Sequence, residues 1–432
     1  MEHYIIICNS TQHMLNADKI LKQNDIKTEL IPAPSEYGSV CSTAIKINAY
    51  NVDVAKKLLK DNSISLKGIY PYKIRKLEGI IDKIKEDLND DLINVLKKVE
   101  NGIELTEDDI VVILSSSGDK NLNSIFKAAD EMRKAVVGDI VDIRAAIEFS
   151  NICRKNCFYC GLRRDNLSVE RYRMDIDEII QTAKELKKMG IRTVILQSGE
   201  DPWYTENKII EIIKKIKKET NMRITLSIGE RSYEEYKHFR EAGANNFLLK
   251  IETTNREIFK NIHPDDDFDY RVKCSEWLRE NGYVNGNGNI IGLPGQTARD
   301  IAKDILFFKD MGIHMVGIGP FVPATGTPLE TYPHGDVEMT LKTVAATRLV
   351  LKNVFIPATT ALATIDKDAQ VKALMAGANT IMLISTPSKY RSRYKIYSNK
   401  NMVDLQTAYR AVIKAGRKMP PYINLEYIKD SE

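Results

Sequence analysis

Ile152-Cys153-Arg154-Lys155-Asn156-Cys157-Phe158-Tyr159-Cys160 is the stretch from which the rest of the chain is read. It holds three cysteines in a C-x3-C-x2-C spacing, with an aromatic residue just before the last thiol. Three thiolates can hold three corners of a [4Fe–4S] cube and leave its fourth iron without a protein ligand, whereas most cluster proteins supply four cysteines. Two plainer readings compete: a structural zinc site and unrelated buried thiols. Zinc takes four ligands, usually from paired C-x2-C knuckles, and no second knuckle exists here. Cys153, Cys157 and Cys160 are therefore the candidate metal ligands of a cluster with one open iron.

Outward from this loop the chain alternates. From Gly138 onward, short apolar runs read as strands at 141–149, 193–197, 223–228, 247–251, 283–291, 315–319, 355–360 and 380–384. Amphipathic helices fall between them at 176–189, 208–219, 233–242, 270–281, 299–311 and 337–351. Eight such alternations in about 280 residues predict an α/β fold of the (β/α)8 TIM type. An open doubly wound sheet is the alternative. The eight-fold count and the absence of GxGxxG after the first strand weigh against it.

The cysteine spacing is the signature of the radical-SAM superfamily, and the loop resembles it. That resemblance implies S-adenosylmethionine (SAM) chelating the open iron through its amino and carboxylate groups. It also implies reductive cleavage of SAM to a 5′-deoxyadenosyl radical. The cysteine loop follows the first strand, at the C-terminal end where parallel barrels carry catalysis, and the other strands end in polar or glycine-rich residues. Strand two ends Gln197-Ser198-Gly199-Glu200-Asp201-Pro202. Glycine lets backbone approach a ligand, and Glu200 is placed to meet the SAM ammonium; a plain tight turn is the bland reading. Strand three ends with Ser227 before Gly229-Glu230, and strand four ends Lys250-Ile251-Glu252-Thr253. Glu252 suits ribose hydroxyls or the SAM amino group, against the simpler role of an anion at the next helix N-terminus. Arg271 opens the following helix, and its forked guanidinium suits a carboxylate; alone it would read as a solvated charge. Asn289-Ile290-Ile291-Gly292-Leu293-Pro294-Gly295 suggests a turn shaped to pass close to adenine. Thr359 and Thr360, at the end of strand seven, can bind an anion, though β-propensity also places threonine there. Tyr390 and Tyr394, in a tyrosine and arginine cluster after strand eight, are placed to close over SAM or substrate.

The rest of the chain is ordinary in composition. It has 432 residues, 43% apolar and 28% charged, with a formal charge of +4. That charge is too small to argue for nucleic acid, and no basic block interleaves with aromatics. The first residues read as neither a signal peptide nor a membrane span, and six cysteines fit the expectation of a reducing cytoplasm rather than a disulfide framework. Residues 1–73 predict strands at 4–8, 28–31, 42–47 and 68–72 and helices at 14–23 and 52–59, a small ferredoxin-like α+β domain. It resembles a small family of selenium or sulfur carriers through Ile31-Pro32-Ala33-Pro34 and the lone Cys41 after Gly38-Ser39-Val40. A small buried thiol is the plain reading of Cys41. Residues 74–137 read as helices preceding the barrel, and 138–432 as the barrel with a C-terminal helix.

Residues from about Asp130 to Arg417 resemble the HydE family of radical-SAM maturases of [FeFe]-hydrogenase. The blocks that carry this are Ile143-Arg144-Ala145-Ala146-Ile147-Glu148-Phe149-Ser150-Asn151, Cys160-Gly161-Leu162-Arg163-Arg164-Asp165-Asn166 and Tyr172-Arg173-Met174, with 196–202, 291–297, 316–323 and 356–361. The resemblance implies SAM contacts at Gln197, Ser198, Ser227, Glu252 and Arg271. It implies substrate contacts at Arg144, Met315, Thr359 and Thr360, a small cysteine-derived or sulfur-bearing substrate, and a low-potential donor such as ferredoxin or flavodoxin. Three departures bear on the substrate. The second cysteine triad that many HydE chains carry near the C-terminus is missing. Lys250 and Ile251 stand where Arg and His are usual, and Ala324-Thr325-Gly326 replaces His-x-Asp. A methylornithine synthase-like mutase or lyase acting on an amino acid is the alternative enzyme. A sulfur or selenium carrier with a degenerate barrel is the alternative outside catalysis, and the intact triad argues against it.

Overall fold

The computed structural model describes residues 3–33, 37, 43–72, 77, 79, 82 and 88–428. Cys41 and the expected boundary at 73/74 lie outside the described residues. The first unit runs β1 (His3–Cys8), α1 (Thr11–Gln23), β2 (Glu29–Pro32), β3 (Thr43–Asn48), α2 (Val52–Asp61) and β4 (Leu66–Tyr72). Its antiparallel sheet has the order β2-β3-β1-β4, the ferredoxin-like arrangement that the sequence predicts. Alternation along β1 sends Ile6 toward the helices, beside Met14, Leu21 and Leu59, and Ile5 and Ile7 to the other face. This core is separate from the one that fills the rest of the molecule.

The helices described next are α3 (Asp90–Glu100), α4 (Glu107–Ser115) and α5 (Asp119–Val137). Thr106 starts α4 through a capping box with Asp109. Then comes a parallel sheet of β5 (Asp142–Ser150), β6 (Thr193–Ser198), β7 (Arg223–Ser227), β8 (Asn246–Leu248), β9 (Val284–Ile291), β10 (Met315–Pro320) and β11 (Thr380–Ile384), in the order β10-β9-β8-β7-β6-β5-β11. The surrounding helices are α6 (Ile176–Lys188), α7 (Glu206–Thr220), α8 (Tyr233–Ala242), α9 (Arg256–Ile262), α10 (Phe268–Glu280), α11 (Ala298–Asp310), α12 (Val337–Leu351), α13 (Thr360–Ile365), α14 (Ala369–Met375), α15 (Ser388–Arg391) and α16 (Leu405–Lys414). Among the described residues, no helix is long and apolar enough to cross a membrane.

The two edge strands are joined by the chain between α12 and α13. Phe355 forms a parallel bridge to Met315 of β10, and Pro357 one to Thr380 of β11. The seventh strand expected at 355–360 therefore shrinks to two bridges, yet it closes the ring. Pro357 has no N–H to donate, and Thr360 already begins α13. Strand four is also shorter than expected. After Leu248 its backbone departs from the regular ladder, and the Asn287 side chain accepts from Ile251 N at 2.7 Å.

β9 shows how one strand divides its residues between helices and interior. Its sequence Val284-Asn285-Gly286-Asn287-Gly288-Asn289 alternates. The asparagines face the helices: Asn285 and Asn287 donate to Ser275 of α10, and Asn289 to Asp304 of α11. The glycines face inward. A Cβ at Gly286 would lie 2.6 Å from Met315 Cε, and one at Gly288 would lie 2.8 Å from Lys250 Cε. Gly286 thus makes room for Met315, and Gly288 makes room first for the Gly317 carbonyl of β10, 2.1 Å from where a Cβ would sit, and then for Lys250.

Candidate active site

The barrel encloses a cavity of about 380 Å³ whose wall includes the side chains of Cys153, Cys157 and Cys160. Burial raises the pKa of all three thiols, Cys160 to about 12. Left alone they are neutral and unreactive; a coordinated metal would remove their protons outright. Their loop is held rigidly. Arg171 donates to the carbonyls of Asn151, Leu162, Arg163 and Asn166 at 2.6–2.9 Å. Lys155 pairs with Glu230 at 3.1 Å and with Asp266. Glu200 N–H reaches Cys153 Sγ at 3.4 Å, a donor suited to a cluster-bound sulfur. Gly199 permits this approach, since a Cβ there would sit 2.3 Å from the Ile152 carbonyl. The donor set fits a three-cysteine cluster.

A ring nitrogen of His263 lies within 4.8 Å of Cys157 Sγ and of an Asp266 oxygen. Asp266 is already paired with Lys155 and Arg271. Two cations beside it oppose a divalent ion at that trio. His263 instead meets the Tyr159 hydroxyl at 3.0 Å, and burial lowers its pKa well below the ordinary histidine value.

Gln197, Ser198, Gly199, Glu200, Ser227, Lys250, Glu252, Arg271, Ile290 and Tyr394 all lie in the cavity wall. Burial raises the Glu200 pKa, although its carboxylate accepts from Glu230 N at 2.9 Å and Arg154 Nε at 3.0 Å. Glu252 has φ +64°, a left-handed backbone that a non-glycine residue rarely adopts. Lys250 Nζ pairs with its Oε2 at 2.8 Å, a cation of the cavity wall set against this carboxylate. Arg271 is more engaged than the sequence suggests. Nε bonds Glu230 at 2.6 Å, Nη2 bonds Asp266 at 2.9 Å, and Nη1 bonds the Lys250 carbonyl at 2.8 Å. Burial opposes its charge, but Glu230 and Asp266 outweigh that and keep the pKa above the ordinary guanidinium value. Of its five N–H groups these bonds use three.

Deeper in the barrel, Arg144 pairs with Asp142 at 2.6 Å, touches Met315 Sδ and lies over the Phe355 ring. Thr359 and Thr360 line the same space, as does Thr380. The hydroxyls of Thr359 and Thr380 are buried without a partner. Tyr390 is elsewhere. It is absent from the cavity wall, its ring stacks on Tyr172 at 4.6 Å, and its hydroxyl donates to Glu178 at 2.9 Å. The short α15 turns Tyr390 outward and Tyr394 inward. Cys274, buried on α10, is not in the wall.

The sequence reading missed several wall residues. Glu148 and Lys400 form an ion pair across 252 positions of chain, with Thr386 also on the carboxylate. In the sequence Tyr159 reads only as an aromatic, and nothing there marks Lys155 or Asp266 in the wall, or Glu230, which pairs behind it with Lys155 and Arg271. The one signal for Glu148 is its acidic character beside Ala145, Ala146, Ile147 and Phe149 in a fully buried strand.

Comparison with known proteins matches residues 147–308 to the Radical SAM superfamily, residues 3–71 to "Putative Se/S carrier protein-like", and residues 318–416 to the Biotin and Thiamin Synthesis associated domain. The [FeFe] hydrogenase maturase subunit HydE of Thermotoga maritima is 47% identical over 307 residues, 71% of this chain and 87% of that one. The 3-methylornithine synthase of Methanosarcina acetivorans is 29% identical over 80% of this chain and 98% of its own. The crystal structure of methylornithine synthase (PylB) superposes with a TM-score of 0.69 at 27% identity, covering 78% of this chain and all of that one. With the cysteine loop at the mouth of a closed barrel and this identity along most of its length, the chain is a radical-SAM enzyme, with a [4Fe–4S] cluster and SAM as cofactors, and belongs to the family of HydE.

Proposed function

We propose that this chain acts in the maturation of [FeFe]-hydrogenase, on a small cysteine-derived or sulfur-bearing substrate held in the barrel. The observation that carries this reading is the division of one cavity. Three thiols stand at its mouth, and an arginine with two unfilled threonine hydroxyls stands at its floor. When bound, the cluster and SAM supply reductive cleavage of a C–S bond and hence the 5′-deoxyadenosyl radical. This chain's residues bind, orient and exclude water. Cys153, Cys157 and Cys160 hold the cluster. Gln197, Ser198, Gly199, Glu200, Ser227, Lys250, Glu252, Ile290 and Tyr394 surround SAM. Arg271 offers its two remaining N–H groups to the SAM carboxylate. Arg144, Met315, Thr359 and Thr360 receive the substrate, whose carboxylate would fill the Thr359 hydroxyl. Electrons come from a ferredoxin or flavodoxin in the cytoplasm. Residues 1–73, 74–137 and 138–432 act as carrier-like domain, connecting helices and catalytic barrel.

The fit to the whole of methylornithine synthase favours a second reading, a mutase or lyase acting on an amino acid. One experiment separates them: anaerobic reconstitution, then assay of 5′-deoxyadenosine with each candidate substrate. Stimulation by sulfur-bearing substrates, with none by ornithine- or lysine-like amino acids, supports the first reading. The reverse pattern overturns it.

A further inference from the structure

Asp304 is fully buried on α11 and takes no place in the cavity wall. Its bonding partners among the described residues are neutral donors. Thr254 N–H and Thr254 Oγ1–H donate to Oδ1 at 2.6 and 2.7 Å, and Asn289 Nδ2–H donates to Oδ2 at 3.0 Å. Burying a carboxylate is costly unless it is well bonded. Its position in the fold suggests what that cost secures.

We propose that Asp304 is the positioning residue for Glu252, fixing the loop 252–254 so that the Glu252 carboxylate faces the cavity. This rests on the reading that Glu252 binds SAM. A left-handed glutamate persists only where its surroundings over-determine it. On its own residue, Glu252 is held by β9: its N–H donates to Gly288 O at 3.1 Å, and its carbonyl accepts from Ile290 N at 3.0 Å. Its bridge partner in β9 is Asn289. Past Glu252 the chain turns away from the sheet toward α9, and the next side-chain anchor is Thr254 on Asp304. One carboxylate thus grips both the loop that follows Glu252 and the strand residue opposite it. Asparagine would keep the Thr254 bonds on its oxygen and turn its amide nitrogen to Asn289, whose amide must rotate to accept it, and all three bonds would lose the charge that strengthens them.

The test uses the full-length protein after anaerobic reconstitution, with iron content, thermal midpoint and SAM affinity from titration of the cluster's EPR signal. Asp304→Asn should keep its iron and bind SAM roughly tenfold to a hundredfold more weakly, the range for a lost bond to a charged group. The double variant Asn289→Asp/Asp304→Asn reverses the polarity of the pair while keeping its charge, and should recover most of the affinity. A role in stability alone would lower the thermal midpoint and leave SAM affinity unmoved. Wild-type affinity in Asp304→Asn, or no recovery in the double variant, overturns the proposal. If Asp304→Asn is insoluble, Thr254→Ala removes one of the three donors; unchanged SAM affinity in that variant overturns the proposal equally. Glu252→Gln separates the two claims. Weak SAM binding there with normal binding in Asp304→Asn rejects only the positioning role. Normal binding in Glu252→Gln rejects the reading of Glu252 and the proposal with it.

Discussion

Arg271, Lys155, Glu230 and Asp266 form a buried cluster of two cations and two anions beneath the cysteine loop. Removing one partner of such a group leaves an uncompensated buried charge, at about 3–5 kcal/mol. We therefore expect Arg271→Ala to lower stability by about that amount, as well as weakening SAM binding. Denaturant unfolding checks the first and titration with SAM the second; an unchanged unfolding midpoint would contradict the role of the cluster. Asp304 gives a pH prediction. Burial, against the bonds from Thr254 and Asn289, raises its carboxyl to about 7, while an unfolded aspartate ionises near 3.9. Between those values the folded state keeps a proton that the unfolded state has released. Its contribution to stability is therefore full below about pH 4 and is lost as pH rises to about 7. The stability difference between wild type and Asp304→Asn should shift against wild type from about pH 5 to about pH 8, and a constant difference would contradict the assignment. At this scale the sequence disclosed residues with a motif around them, such as the cysteines and Glu252. It did not disclose Asp304 or the Glu148–Lys400 pair, because their partners lie 15 to 252 positions away and nothing local marks them.

Among the elements, the β5–β6 end of the barrel was the most legible, since capped amphipathic helices alternate there with short apolar strands. Helix 233–242 was read to the residue, because Ser232 and Glu235 form a capping box and Gly243, at φ +119°, ends it. The seventh strand is shorter than its apolar run suggests. Periodicity saw an apolar run at 355–360 but not that Pro357 limits its pairing. β8 also ends earlier than its apolar run, because the Asn287 side chain stands in for a ladder acceptor. Glycine placement is testable at this scale. At Gly199 an added Cβ would meet the Ile152 carbonyl at 2.3 Å and Cys153 Cβ at 2.8 Å. Backbone cannot yield as a flexible side chain can. Gly199→Ala should therefore displace the cysteine loop and reduce iron incorporation, read by iron analysis after reconstitution. Full iron content would show that the loop tolerates the shift.

Among the described residues, the hydrophobic clusters divide by chain segment: two lie within residues 4–72, one on each face of the first sheet, and two within 77–428. The contacts described between the two parts are few: His314 Nε2 meets the Leu30 carbonyl, and Leu15 approaches Gly282. A chain starting at residue 74 should thus keep the cluster and still cleave SAM under a strong reductant, as measured by 5′-deoxyadenosine release. Loss of the cluster on truncation would mean that the first unit supports the barrel fold.

The account as a whole depends on an open iron at the barrel mouth. The most direct measurement is iron content with EPR, before and after adding SAM, on the anaerobically reconstituted protein. We predict about four irons per chain and a reduced-cluster signal that changes with SAM. That signal should vanish in Cys153→Ala, Cys157→Ala or Cys160→Ala and persist in Cys274→Ala. Stoichiometric zinc without iron–sulfur absorbance, or a signal indifferent to SAM, would contradict the account.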